Sequence, residues 1–85
     1  MSPLTLRVMV LDTWDELTLE VLPSTRIADL KRLALERARV RRPADAYVVK
    51  YRGAELGEEE RTLAEAGVVA NAPLIVLPRR RIPAR

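Results

Sequence analysis

Cysteine and histidine are both absent from this chain of 85 residues. Without cysteine there is no disulfide, no thiolate metal site and no cysteine nucleophile. Without histidine the commonest metal ligand is gone, together with the side chain used most often as general base near neutral pH. Metal-dependent hydrolysis and Ser-His or Cys-His catalysis are excluded on these grounds, so the chain reads as a non-enzyme that needs no cofactor. No apolar run approaches the roughly 18–20 residues required to cross a bilayer, and no membrane insertion is expected. The opening Met1-Ser2-Pro3-Leu4 lacks the basic-then-apolar pattern of a secretory signal, which makes a cytoplasmic location the default expectation. Glycine is scarce, occurring at Gly53, Gly57 and Gly67 alone.

What is present suits one small folded domain. Apolar residues make up 48% and charged residues 32%, a balance that supports a core. The formal net charge is +3. That excess is local, because Arg79, Arg80, Arg81 and Arg85 crowd the last residues while the body is close to neutral. Residues 1–78 are therefore expected to form the domain and 79–85 a disordered basic tail.

The periodicities place the elements. Leu4, Leu6, Val8 and Val10 alternate with Thr5, Arg7 and Met9, and Leu17, Leu19 and Val21 alternate with Thr18 and Glu20. Both are period-2 patterns of half-buried strands, and the polar Asp12-Thr13-Trp14-Asp15 joins them as a hairpin. Pro23 ends the second strand. Ser24 or Thr25 is placed to cap a helix in which Ile27, Leu30, Ala34 and Ala38 form one apolar stripe, flanked by Leu33 and Leu35. Pro43 lies beyond its end. Tyr47–Tyr51 reads as a third strand, with Leu56 in a very short fourth. Thr62-Leu63-Ala64-Glu65 fits a capping box opening one helical turn, which Gly67 closes. Leu74–Leu77 is the last strand, ended by Pro78. One amphipathic helix must then cover one face of a mixed sheet of four to five strands, an α+β arrangement in ββαβ(β)β order.

The stretches Thr18–Ser24 into Ile27–Lys31, Tyr51–Leu56, Arg61–Leu63, and Gly67-Val68 leading to Leu74–Leu77 resemble, in order and spacing, ubiquitin and its β-grasp relatives. The resemblance implies a last strand lying between the first and third. It also implies docking as the mode of action, through an apolar patch on the sheet face away from the helix. Conjugated modifiers and the related sulfur carriers end in Gly-Gly, whereas no glycine follows Gly67 here. A modifier or sulfur-carrier role is accordingly the third reading. Ala54 stands where ubiquitin has its main chain-forming lysine, and Lys31, which matches a family helix lysine, reads as an ordinary solvated residue. Leu63–Val68 together with the glycine-free end is similar to the bacterial YukD group, accessory proteins of type VII secretion, although Ala72-Pro73 replaces that group's Gly-Asp.

The expected site follows from strand alternation. If Val8, Val10, Val49, Tyr51, Leu74 and Val76 face the helix, the outer face shows Arg7, Met9, Val48, Lys50, Ile75 and Leu77. This set is expected to bind another protein, one with an acidic residue facing Lys50. Trp14 either joins it as an apolar contact on the hairpin loop or folds back over the sheet edge. The alternative function is nucleic-acid or anionic-surface binding through Arg37, Arg39, Arg41, Arg42, Arg79, Arg80 and Arg81. A helix persisting past Arg37 would put Arg37 and Arg41 on one face. Glu58-Glu59-Glu60 reads as a hydrophilic turn, since consecutive carboxylates do not converge on a metal.

Overall fold

The structure, a computed structural model, describes residues 2–79. Strands β1 (Leu4–Val10) and β2 (Asp15–Val21) form an antiparallel hairpin in which Val10 pairs with Asp15 and Leu4 with Val21. After helix α1 (Ile27–Arg37) and a 3₁₀ turn at Ala44–Ala46, β3 (Tyr47–Tyr51) and the two-residue β4 (Ala54–Glu55) make a second hairpin. β5 (Pro73–Pro78) then inserts between the hairpins, parallel to β1 and antiparallel to β3, giving the order β2-β1-β5-β3-β4. The sheet order expected from the resemblance is thus observed. The 3₁₀ turn was not expected.

The core lies between the sheet's inner face and α1. Leu6, Val8, Val10, Val49, Leu74 and Val76 are fully buried there against Ile27, Leu30 and Ala34. At the β3–β4 turn Arg52 and Gly53 both have positive φ, 55° and 81°. That is the geometry of a two-residue type I′ turn, for which X-Gly is suited.

Helix α1 starts and stops by different means. Its N-cap is Arg26, which makes no side-chain cap bond. The expected Ser24 or Thr25 cap is replaced by the chain itself: Ile27 N–H donates to Arg61 O at 3.0 Å and Ala28 N–H to Glu59 O at 3.0 Å. Thr25 is spent locally, its hydroxyl accepting from Leu22 N–H at 3.2 Å. At the other end Arg39 takes φ 62°, Arg39 N–H donates to Glu36 O, and Val40 N–H to Leu35 O. This Schellman arrangement stops the helix after Arg37, so Arg37 and Arg41 do not share a helical face as a longer helix would have allowed.

The segment before β5 is held by the capping box read from the sequence. Thr62 N–H donates to the Glu65 carboxylate at 2.9 Å and Glu65 N–H to the Thr62 hydroxyl at 3.1 Å. Gly67 closes the turn at φ 80°. Leu63, fully buried, is delivered under the start of α1, with its N–H on Thr25 O at 2.9 Å.

Lys31 is not solvated. It is 2% exposed, and its ammonium donates to Tyr47 O at 2.9 Å and to both Glu59 oxygens, at 2.7 and 2.8 Å. Its place on the buried stripe, between Ile27 and Ala34, is affordable because both partners are fixed by other elements. Glu59 is thereby a structural ion-pair partner rather than part of a free acidic turn.

Candidate functional site

The outer sheet face carries the candidate surface. Cross-strand register aligns Glu16, Met9, Ile75, Lys50 and Glu55 in one row over all five strands. A second, shorter row pairs Leu77 with Val48, and Arg7 lies beside Pro73 at the opposite end. Ile75, on the central strand, is 39% exposed, with Met9, Leu77 and Lys50 half-buried around it. Val48 departs from expectation. It is only 5% exposed, forming the floor of a shallow depression lined by Lys50, Glu55, Leu77, Pro78 and Arg79. Among the described residues neither Lys50 nor Arg7 belongs to an ion pair.

Six of the seven expected contact residues are therefore brought to one face. Trp14 stands apart, on the turn at the upper end of β1. It is 75% exposed, so the fold-back over the sheet edge does not occur. Its φ of 56° is an unusual conformation for so bulky a residue, held by Trp14 N–H donating to Leu11 O at 3.3 Å. Glu16 and Glu55 were missed by sequence reasoning. A two-residue turn at Arg52-Gly53 would have placed Glu55 opposite Lys50, so that part of the signal was present.

No protein-family model and no curated protein matches the sequence. Solved structures do match. The ubiquitin-like domain of an Arabidopsis thaliana protein, determined by solution NMR, has a TM-score of 0.79 at 20% identity, covering 100% of this chain and 86% of that one. Caldiarchaeum subterraneum ubiquitin has a TM-score of 0.78 at 18% identity, covering 94% and 98%. A protein designed de novo on the basis of ubiquitin has a TM-score of 0.79 at 24% identity, covering 99% and 98%. The fold is the ubiquitin-like β-grasp. Identities this low carry the fold and nothing finer.

Within this ubiquitin-like domain the expected anion-binding arginines collect around the helix exit without forming one cradle. Arg37, Arg39, Arg41 and Arg42 are all exposed. Arg79, expected in a disordered tail, is tied to the domain: its backbone N–H donates to Ala46 O and its Nε–H to Asp45 O at 3.2 Å. The reason is that Tyr47 pairs with Pro78, which carries the chain past the end of β3 alongside the 3₁₀ turn. Arg80, Arg81 and the rest of the expected tail lie outside the described residues. No group of three or more Asp or Glu residues able to hold a metal occurs among the described residues.

One polar contact links the hairpin turn to β3. The Tyr47 hydroxyl donates to the Asp12 carboxylate. Burial, then the Asp12 hydrogen bond and charge, raise the Tyr47 pKa from its ordinary 10.0, against a lowering effect of Arg42. A raised phenol pKa means that above pH 10 the unfolded chain loses its proton first. Stability is therefore expected to fall as pH rises beyond that value. Tyr47→Phe should cost about 1–2 kcal/mol at pH 7, by loss of the bond to a charged acceptor. The same variant should show a flatter alkaline limb, measurable by urea titrations between neutral and alkaline pH.

Proposed function

We propose that this ubiquitin-like chain is a non-enzymatic docking module whose outer sheet face receives a partner protein. The observation that carries the reading is the row Met9–Ile75–Lys50, in which an exposed isoleucine at the centre of the sheet lies beside a half-buried amine. A partner covering Ile75 and Leu77 removes apolar area from water, but it also covers Lys50. Burying an ammonium without a counter-charge costs several kcal/mol. The matching partner segment therefore presents an aliphatic side chain with an Asp or Glu next to it, and the carboxylate faces Lys50.

The test is selection of peptides on the folded chain from a random displayed library, followed by NMR mapping of the selected peptides. Selected sequences should pair an acidic with an aliphatic residue, and shifts should concentrate at Arg7–Met9, Val48–Lys50 and Pro73–Leu77. Ile75→Glu should weaken these peptides by more than about thirtyfold, as for a central hot spot, with an unchanged melting temperature. Peptides that bind Ile75→Glu as well as the parent chain would sink the reading.

The narrower part of the proposal is an accessory role of the YukD type in bacterial type VII secretion, without conjugation. It is supported by the similarity of Leu63–Val68 and by Arg79-Arg80-Arg81 following β5, where conjugated relatives carry bulk-free glycines. Neighbouring genes for a secretion ATPase would support it. An adenylate or thioester formed with ATP and an activating enzyme would overturn it.

A further inference from the structure

Charge is distributed unequally between the two ends of α1. The four ion pairs among the described residues use Arg26, Lys31, Arg32 and Arg61, at the helix start or in the segment packed on it. Arg37, Arg39, Arg41, Arg42 and Arg79 enter none of them. These unpaired arginines gather at the opposite end of the molecule, where the helix exit, the start of β3 and the end of β5 meet. Arg42 and Arg79 line one depression there, together with Asp45, Ala46 and Pro78. The chain adds Arg80, Arg81 and Arg85 to the same sign of charge.

The only tryptophan is found at this end too. Trp14 follows Asp12 by two residues, and Asp12 is bonded to the hydroxyl of Tyr47, whose backbone pairs with Pro78 next to Arg79. The hairpin tip is thereby held at the end of the molecule that carries Arg79, with Trp14 75% exposed. An indole combines a large apolar body with a polar N–H, which suits the layer between water and hydrocarbon. An interfacial aromatic side chain adds to the attraction of a basic patch for an anionic membrane, to which each Arg near the surface contributes about 1 kcal/mol. A nucleic-acid strand is matched less well. Tyr47 and Tyr51 are buried, leaving Trp14 as the one exposed aromatic among the described residues, enough for one stacked base rather than a track.

We propose that this end of the domain rests on an anionic lipid surface, with Trp14 in the headgroup layer and Arg39, Arg41, Arg42 and Arg79 around it. Asp12, Asp15, Glu36 and Asp45 lie at the same end and oppose the attraction, so binding is reversible and sensitive to salt. The surface meets the outer-face depression at Pro78 and Arg79 but does not include Ile75.

The experiment mixes the full chain with vesicles of phosphatidylcholine alone or with about 30% phosphatidylserine. Trp14 emission should shift to the blue, and the protein should co-sediment, only with the anionic vesicles. Salt at about 0.5 M should reverse both effects. Arg41→Ala/Arg42→Ala should weaken partitioning about thirtyfold, and Trp14→Ser should weaken sedimentation at an unchanged melting temperature. Ile75→Glu should bind vesicles like the parent chain, which separates failure here from failure of the docking face. The proposal is overturned by an unshifted spectrum with anionic vesicles, by equal binding to neutral ones, or by quenching of Trp14 with oligothymidylate where vesicles leave it unchanged.

Discussion

Glu59→Ala is expected to lower the stability of the fold by about 3–5 kcal/mol, the range found when one member of a buried ion pair is removed. The ammonium of Lys31 lies 2.7 Å from Glu59 Oε1, and its side chain is 3% exposed against 22% for that of Glu59. Once the carboxylate is deleted, the ammonium keeps only Tyr47 O, at 2.9 Å, and has little route to water. The asymmetry in exposure supplies a control. Lys31→Met leaves the charge on Glu59, which already reaches solvent, so the loss should be smaller, about half as large. The double variant Lys31→Met/Glu59→Ala should recover part of the deficit. Urea unfolding of all four proteins gives the coupling directly. Equal losses from the two single changes, with strict additivity in the double, would show that the pair is not the source of the effect.

Leu63→Ala should cost about 2–5 kcal/mol, the transfer term for the lost side chain plus the cavity left behind. Leu63 is fully buried although it belongs to a single turn between two loops. Three backbone bonds fix that turn on the β2–α1 connection: Leu63 N–H to Thr25 O, Ala64 N–H to Pro23 O, and Ile27 N–H to Arg61 O. Such a clamped site cannot collapse around a smaller side chain, which places the expected loss in the upper part of the range. The urea midpoint should fall with little change in slope. A loss below about 1 kcal/mol would mean that the turn relaxes into the hole.

The long strands, the helix stripe, the first hairpin and the capping box were legible because each is encoded by neighbours in sequence. The short fourth strand instead lies at Ala54–Glu55 and not at Leu56, because the two-residue Arg52-Gly53 turn starts the pairing at once. Val8 and Val10 announce a buried strand face by alternation, and Thr62 with Glu65 needs only three residues of separation. What escaped depends on residues far apart. Lys31 reads as solvated on a helix surrounded by Arg32, Glu36 and Arg37, and only the approach of Glu59 and of the Tyr47 carbonyl makes burial affordable. The helix start differs from the expected Ser24 or Thr25 cap for the same reason, since its free amides are taken by carbonyls more than thirty residues later. At the candidate surface, alternation identified which side chains point outward but not how deeply each sits. Val48 points away from the helix and is nevertheless covered, while Trp14 stands 75% exposed on a turn whose backbone takes a positive φ that alternation does not reveal.

The side-by-side, same-direction pairing of β1 and β5 also governs how the domain answers tension. A pull applied ahead of Leu4 and beyond Pro78 draws two neighbouring strands past each other along their length. The bonds from Arg7 to Val10 against Pro73 to Val76 are then loaded together instead of being opened one after another like a zip fastener. Rupture demands that all of them fail at once, so a sheet with few strands and a thin core can still be stiff when stretched along that axis.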